Sequence, residues 1–217
     1  MTSELQGARE RVVAASRRLA ALGLVVGTAG NVSERLADRI AITPTGAALD
    51  SVTAEEIAIV DLEGTQHGGD FRPTSELDLH LGAYVRHHAN AVVHTHAPMA
   101  TAVACVLDEL PIVHYALMEL GGPVRVAPYR TFGTPELAAV TLDALQGRSA
   151  ALMSNHGAIT IADTAHAAVE RALLLEWGCT LYYRASTMGT PRTLNAQEQA
   201  DFLEAIATRN YGTTQKI

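Results

Sequence analysis

The stretch "AVVHTHAPMA", residues 91–100, places two imidazoles one residue apart behind a run of small and β-branched apolar residues. Side chains alternate along a strand, so His94 and His96 project from one face and aim two nitrogens at a common point. Such pairs also occur as half-buried strand histidines, and alone they are a weak signal. His156 is the third candidate, in "MSNHGAIT", a tight polar turn between two apolar runs where Gly157 lets the backbone bend. Three histidines from two strand ends are a donor set that holds Zn²⁺ with one position open to substrate. Glu76 is the second element. In the first turn of a helix a carboxylate is already favoured by the dipole. Near a catalytic metal it can also abstract a proton while the metal polarises a carbonyl. The third element is a set of polar loops, "GTAGN", "TPTG" and Thr74-Ser75, whose amides and hydroxyls can hold an anion without Arg or Lys. Taken singly, each loop is equally an ordinary turn or cap.

The elements that must position these groups follow from periodicity. Leu5, Ala8, Val12, Ala15, Leu19 and Leu22 recur at three and four residues and predict an amphipathic helix closed by Gly23. Two short β-like runs flanking Ala37-Asp38 predict a hairpin. Thr53 and Glu56 form a capping box for one turn, followed by a strand in "IAIVDLEG" and a Gly-rich loop through "QHGGDFRP". "TSELDLHLGAYVRHH" reads as a helix from a Thr-Ser cap with Leu77, Leu81, Tyr84 and Val85 as its stripe. Then come strand 91–96, a helix from Pro98, a short strand near Ile112, strand "VRVAP", a helix from Pro135 to Leu145, two β-runs around "SNHG", a helix over about 163–184, and a last helix capped by Asn195 with Glu198. Helices and strands interleave in one unit, which predicts an α/β or α+β domain spanning 1–217 with a mostly antiparallel or mixed sheet.

Sixteen basic against twenty-three acidic residues give a formal charge of −7 without a Lys/Arg run, which argues against nucleic acid as partner. No stretch approaches the roughly 20 apolar residues of a membrane span, and a cytoplasmic protein is expected. Cys105 and Cys179 lack ligand-like company and read as buried free thiols. His67, His80, His87, His88 and His166 read as surface or internally satisfied histidines, and His114 stays open. Trp177, spaced with Leu173 and Leu181, reads as core or interface.

In chain order, "GTAGNVSER", "TPTG", "TSE", "AVVHTHAP", "VHY", "APYRTFGT" and "NHG" resemble the class II aldolase/adducin family over nearly the whole length. The resemblance implies a three-layer α/β/α fold around a central, mostly antiparallel mixed sheet, and a homotetramer with active sites between subunits. It puts His94, His96 and His156 on zinc-ligand positions. Glu76 falls on the position that ligates resting zinc and then serves as base. Gly30, Asn31, Thr45, Gly46, Thr74 and Ser75 fall on phosphate-binding positions. Tyr115, Phe132 and Tyr211 fall on residues shaping the aldehyde end, either tyrosine being able to donate a proton there. The family's aldolases usually have Ser where Thr74 stands, which keeps the hydroxyl. The implied reaction is zinc-dependent, reversible cleavage of a 2-ketose 1-phosphate, L-fuculose 1-phosphate or similar, to dihydroxyacetone phosphate and an aldehyde. The same fold also carries methylthioribulose-phosphate dehydratases, pentulose-phosphate 4-epimerases, a phosphate-linked decarboxylase and non-catalytic adducin-like interaction modules. The family's epimerases usually carry Ser directly after HxH and an Asp in the segment reading "HYALMELGG" here, whereas this chain has Ala97 and no Asp in that segment. An interaction module has no reason to retain all three histidines and the glutamate.

Overall fold

The computed structural model describes residues 2–209. The first helix, α1 (Thr2–Ala21), buries Ala8, Val12, Ala15 and Leu19, and the chain leaves it through Gly23 at φ +71°. Leu22, counted in the expected stripe, lies past the helix end and is exposed. Strands β1 (Asn31–Leu36) and β2 (Arg39–Ile42) form the expected hairpin, with Ala37 in the left-handed region at the turn. The capping box forms as a turn, the Thr53 amide donating to Glu56 Oε2 at 2.7 Å, before β3 (Ala58–Val60). The expected Gly-rich loop contains a short edge strand, β4 (Gln66–Gly68), whose register against β3 shifts between Ile59 and Val60. Polar composition hid this strand, because an edge strand open to solvent needs no apolar alternation.

Helix α2 (Leu77–His87) buries Leu79, His80, Ala83 and Tyr84, while Val85 is exposed. The inward face is therefore turned from the stripe expected on apolar residues alone, because the imidazole of His80 is satisfied inside. The remaining elements are β5 (Ala91–Thr95), α3 (Pro98–Ala104), β6 (Glu109–Leu110), a 3₁₀ turn over Tyr115–Leu120, β7 (Val124–Ala127), α4 (Pro135–Ala144), β8 (Ala150–Met153), β9 (Gly157–Ala162), α5 (Ala165–Met188) and α6 (Ala196–Arg209). The α6 capping box forms reciprocally, the Asn195 amide donating to Glu198 Oε2 at 2.7 Å and the Glu198 amide to Asn195 Oδ1 at 3.0 Å. Cys179 is buried as expected; Cys105, just past α3, is exposed.

The sheet runs β4-β3-β2-β1-β5-β9-β8-β7-β6, antiparallel throughout except for the parallel β7–β8 pair. Period-2 alternation divides its side chains between two cores. Ala91 and Val93 of β5 join Val32, Leu152 and Ala158 under α1, α3 and α5. Val92 joins Ile40, Ala151 and Ile159 under α2 and α4. This is the three-layer α/β/α arrangement with a mostly antiparallel mixed sheet. His94 follows Val92 by two residues and so faces the α2 layer, at the end of a central strand. Among the described residues no helix is long and apolar enough to cross a membrane.

Candidate metal centre and active-site cleft

Three adjacent central strands deliver the site. The register sets Asn31 of β1 beside His94 of β5, and His94 beside Ile159 of β9. His96 follows one residue after β5 ends, and His156 lies in the turn between β8 and β9. The ring centroids of the three histidines are 4.8, 5.0 and 5.0 Å apart, and their candidate ligand atoms all lie within 4.8 Å of one another. This approach requires Gly157. A Cβ there would overlap the Thr95 carbonyl and come within 3.3 Å of both His94 Cε1 and His96 Cδ2.

The hydrogen-bond inventory shows what the cluster lacks. His94 Nδ1 is 2.9 Å from the Ala158 carbonyl, which only accepts, so Nδ1 carries the proton and Nε2 faces the cleft. That Nε2 is 3.0 Å from His96 Nε2 and 3.1 Å from Glu76 Oε2. Glu76 Oε1 is buried without a hydrogen-bond partner, 3.4 Å from His156 Nε2. Three imidazole nitrogens and a carboxylate thus converge with too few protons to pair them, and a divalent cation resolves that deficit. Burial, with the neighbouring histidines adding to it, pushes His96 and His156 down to about 4. Both present neutral imidazoles at neutral pH, the form that ligates a metal. Burial opposes ionisation of Glu76, but the histidines, His94 foremost, and the Asn31 hydrogen bond outweigh it and hold the carboxyl below its ordinary range.

Glu76 is not inside the first turn as expected but at the N-cap of α2, making no side-chain capping bond there. Its carbonyl accepts from the amides of Leu79 and His80, starting the helix, while its carboxylate turns into the cleft. The Thr74 hydroxyl, 3.3 Å from the Glu76 amide, supports this entry.

Above the cluster lies a cleft of about 280 Å³ lined by all six expected anion-loop residues, Gly30, Asn31, Thr45, Gly46, Thr74 and Ser75, together with Glu76, His96, His156 and Phe132. Gly30 is at φ +90°, where a Cβ would sit 2.7 Å from Val25 Cγ1 and 3.1 Å from the His94 carbonyl. Tyr115 is not among the lining residues. It lies on the 3₁₀ turn with its ring 4.3 Å from His114 and 5.1 Å from Phe202 of α6. Tyr211 lies outside the described residues. The sequence reading missed Tyr129, Arg130 and Asn155, which also line the cleft and sit inside the quoted "APYRTFGT" and "SNHG" segments. His80, expected to be a surface or internally satisfied histidine, is the latter, and Glu76, His80 and Tyr84 recur at four-residue steps.

Residues 10–183 match the family model "Class II Aldolase and Adducin N-terminal domain". The chain belongs to the class II aldolase and adducin family. It is 38% identical over 197 residues to the 5-deoxy-D-ribulose 1-phosphate aldolase of Bacillus thuringiensis serovar kurstaki, covering 89% of this chain and 92% of that protein. It is 36% identical over 211 residues to the 5-methylthioribulose-1-phosphate/5-deoxyribulose-1-phosphate aldolase of Rhodospirillum rubrum, covering 96% and 94% respectively. A solved structure of an L-fuculose 1-phosphate aldolase superposes with a TM-score of 0.87 at 30% identity, covering 93% of this chain and 96% of that one. The protein is accordingly an aldolase-type carbon–carbon lyase.

Proposed function

We propose that the protein is a zinc-dependent aldolase cleaving a 2-ketose 1-phosphate reversibly to dihydroxyacetone phosphate and an aldehyde. The observation that carries this reading is the Glu76 carboxylate seated against three convergent histidines beneath a cleft of neutral hydroxyl and amide donors. His94, His96 and His156, with Glu76 in the resting state, would hold the metal. Zinc, when bound, supplies Lewis-acid polarisation of the substrate carbonyl. In the cleavage direction the C4 hydroxyl would give its proton to a base at the aldehyde end, the part the resemblance gives to a tyrosine. The C3–C4 bonding pair stays with C3, and C3 takes a proton from Glu76 in its carboxylic-acid form, both groups then being reset by proton exchange with water. Addition runs in reverse, with Glu76 as base. The loops at Gly30-Asn31, Thr45-Gly46 and Thr74-Ser75 fix the phosphate and so the register of the reacting carbons.

For the substrate, the named relatives suggest a class. 5-Deoxyribulose, 5-methylthioribulose and L-fuculose 1-phosphates all end in an apolar group, and Phe132 and Tyr129 give the cleft an aromatic rim. We therefore widen the expectation of L-fuculose 1-phosphate to ketose 1-phosphates with a deoxy or thioether terminus. Tyr115, which does not line its own cleft, fits a role across a subunit boundary in a homotetramer, donating to or accepting from the aldehyde oxygen. A single domain over 1–217 and a cytoplasmic setting, where phosphorylated sugars are retained, accord with this reading.

The test is a screen of the three ketose 1-phosphates, reading dihydroxyacetone phosphate release through a coupled dehydrogenase. Release from at least one, abolished by a chelator and restored by zinc, is expected. No release from any of them by zinc-loaded protein refutes the reading.

A further inference from the structure

A buried polar chain runs from α2 through β1 to Glu76, and no step of the proposed reaction uses its outer members. Tyr84 OH lies 2.5 Å from Ser33 Oγ, Ser33 Oγ 2.6 Å from His80 Nδ1, His80 Nε2 2.5 Å from Asn31 Oδ1, and Asn31 Nδ2 2.9 Å from Glu76 Oε2. All five residues are buried, Ser33 and His80 completely.

Donor and acceptor chemistry fixes the direction of every link. The carboxylate of Glu76 only accepts, so Asn31 must present its NH₂ there and its carbonyl to His80. An amide carbonyl only accepts, so His80 carries its proton on Nε2 and offers Nδ1 as a lone pair. The single hydroxyl proton of Ser33 is spent on that lone pair, which leaves Tyr84 to donate to Ser33. Burial pushes His80 down to about 3 and the Tyr84 phenol upward, so both keep the neutral forms the chain needs. Turning the Asn31 amide over would set its oxygen against the carboxylate and its NH₂ against an N–H of His80. The chain therefore locks one rotamer of Asn31, and Asn31 in turn pins one oxygen of Glu76.

We propose that Tyr84, Ser33 and His80 are positioning residues that act through Asn31 to pin Oε2 of Glu76 and leave Oε1 as the oxygen that exchanges the proton with substrate. The inference rests on the aldolase reading of Glu76. It also changes the role of Asn31, whose side chain is committed to the carboxylate as well as lining the anion loops. Asn31 commits Oε2, and Oε1, 3.4 Å from His156 Nε2, is the oxygen that the chain leaves uncommitted on the histidine side of the cleft.

Two measurements test this, one independent of activity. Nitrogen-15 NMR of histidine-labelled protein, with and without zinc, assigns His80 by its absence in His80→Gln. A neutral ring protonated at Nε2 is expected, and protonation at Nδ1 overturns the chain. The second is hydrogen exchange at the dihydroxyacetone phosphate carbon in deuterated water without aldehyde. Gln can still donate to Asn31 from the Nε2 position, whereas Leu cannot. His80→Leu should lower the maximal exchange rate about 10- to 100-fold, the scale of an ångström-level misplacement, with KM changed less than about threefold. His80→Gln should stay within about threefold of wild type, and Ser33→Ala and Tyr84→Phe should fall between. Equal losses in the Gln and Leu variants, or a loss confined to KM, overturn the proposal. Absence of exchange in the wild-type protein refutes the aldolase reading instead, and the NMR assignment then decides the chain by itself.

Discussion

Acidification should destabilise this protein through His80, and the size of the effect follows from its burial. The ordinary value of 6.5 is pushed down to about 3, by burial first, with Glu76 opposing and His94 reinforcing. Between those values the unfolded chain binds a proton that the folded one refuses, so stability rises with pH across the window and falls as pH drops through 6.5 toward 3. From pH 7 to pH 5 this one residue should remove about 2 kcal/mol of folding stability. Protonation would also place an N–H of His80 against Ser33, whose hydroxyl proton already points there. The assay is urea denaturation of metal-free protein at pH 7 and pH 5, wild type beside His80→Gln. Whatever the variant's absolute stability, its loss between the two pH values should be smaller than wild type's by about 2 kcal/mol. Identical pH dependence in the two proteins, or NMR showing His80 protonated well above pH 5, would refute the reasoning.

Glu76→Gln preserves shape and removes the proton acceptor, so zinc content should persist while turnover falls about 10²- to 10⁴-fold; undiminished exchange at the dihydroxyacetone phosphate carbon in the zinc-loaded variant would remove Glu76 from its role. Purified protein should carry about one zinc per chain, and His96→Ala should lose most of it by elemental analysis, since three ligands define such a centre. Gly157→Ala should weaken both folding and metal affinity because its Cβ overlaps the Thr95 carbonyl, with about 1–3 kcal/mol of stability lost in a melt at matched metal content. Ser75→Ala should raise KM for a phosphorylated ketose severalfold at nearly constant kcat, about 1 kcal/mol for one hydrogen bond, and an unchanged KM would take that hydroxyl off the phosphate.

The strand histidines were legible because a period of two places their donors without knowledge of the rest of the fold. Gly157 was legible as a flexible position, yet the stronger reason for it, the carbonyl of Thr95 pressed against it, belongs to a pairing between distant strands. His80 is internally satisfied, one of the two roles expected of it, but its part in setting the helix face was not legible, for a related reason. A hydrophobic stripe counts apolar residues, whereas His80 is buried because partners on β1 accept and donate to both nitrogens. The face of α2 was therefore set by polar satisfaction that only the folded chain displays. Tyr115 illustrates a further limit: the resemblance alone put it at the aldehyde end, whereas the fold seats it on the 3₁₀ turn against His114 and Phe202.

The order of the strands has a kinetic consequence. Residue 31 lies beside residue 94, and residue 94 beside residue 159, in the middle of a nine-stranded sheet. No local hairpin brings these positions together, so closure of two long loops must precede any contact among them. Helices and the β1–β2 hairpin can form on their own timescale, but the donor set exists only after the slow, non-local pairing of the central strands. Metal capture during refolding should therefore trail the recovery of helical signal, and a dye that competes for zinc would report completion of the sheet rather than its beginning.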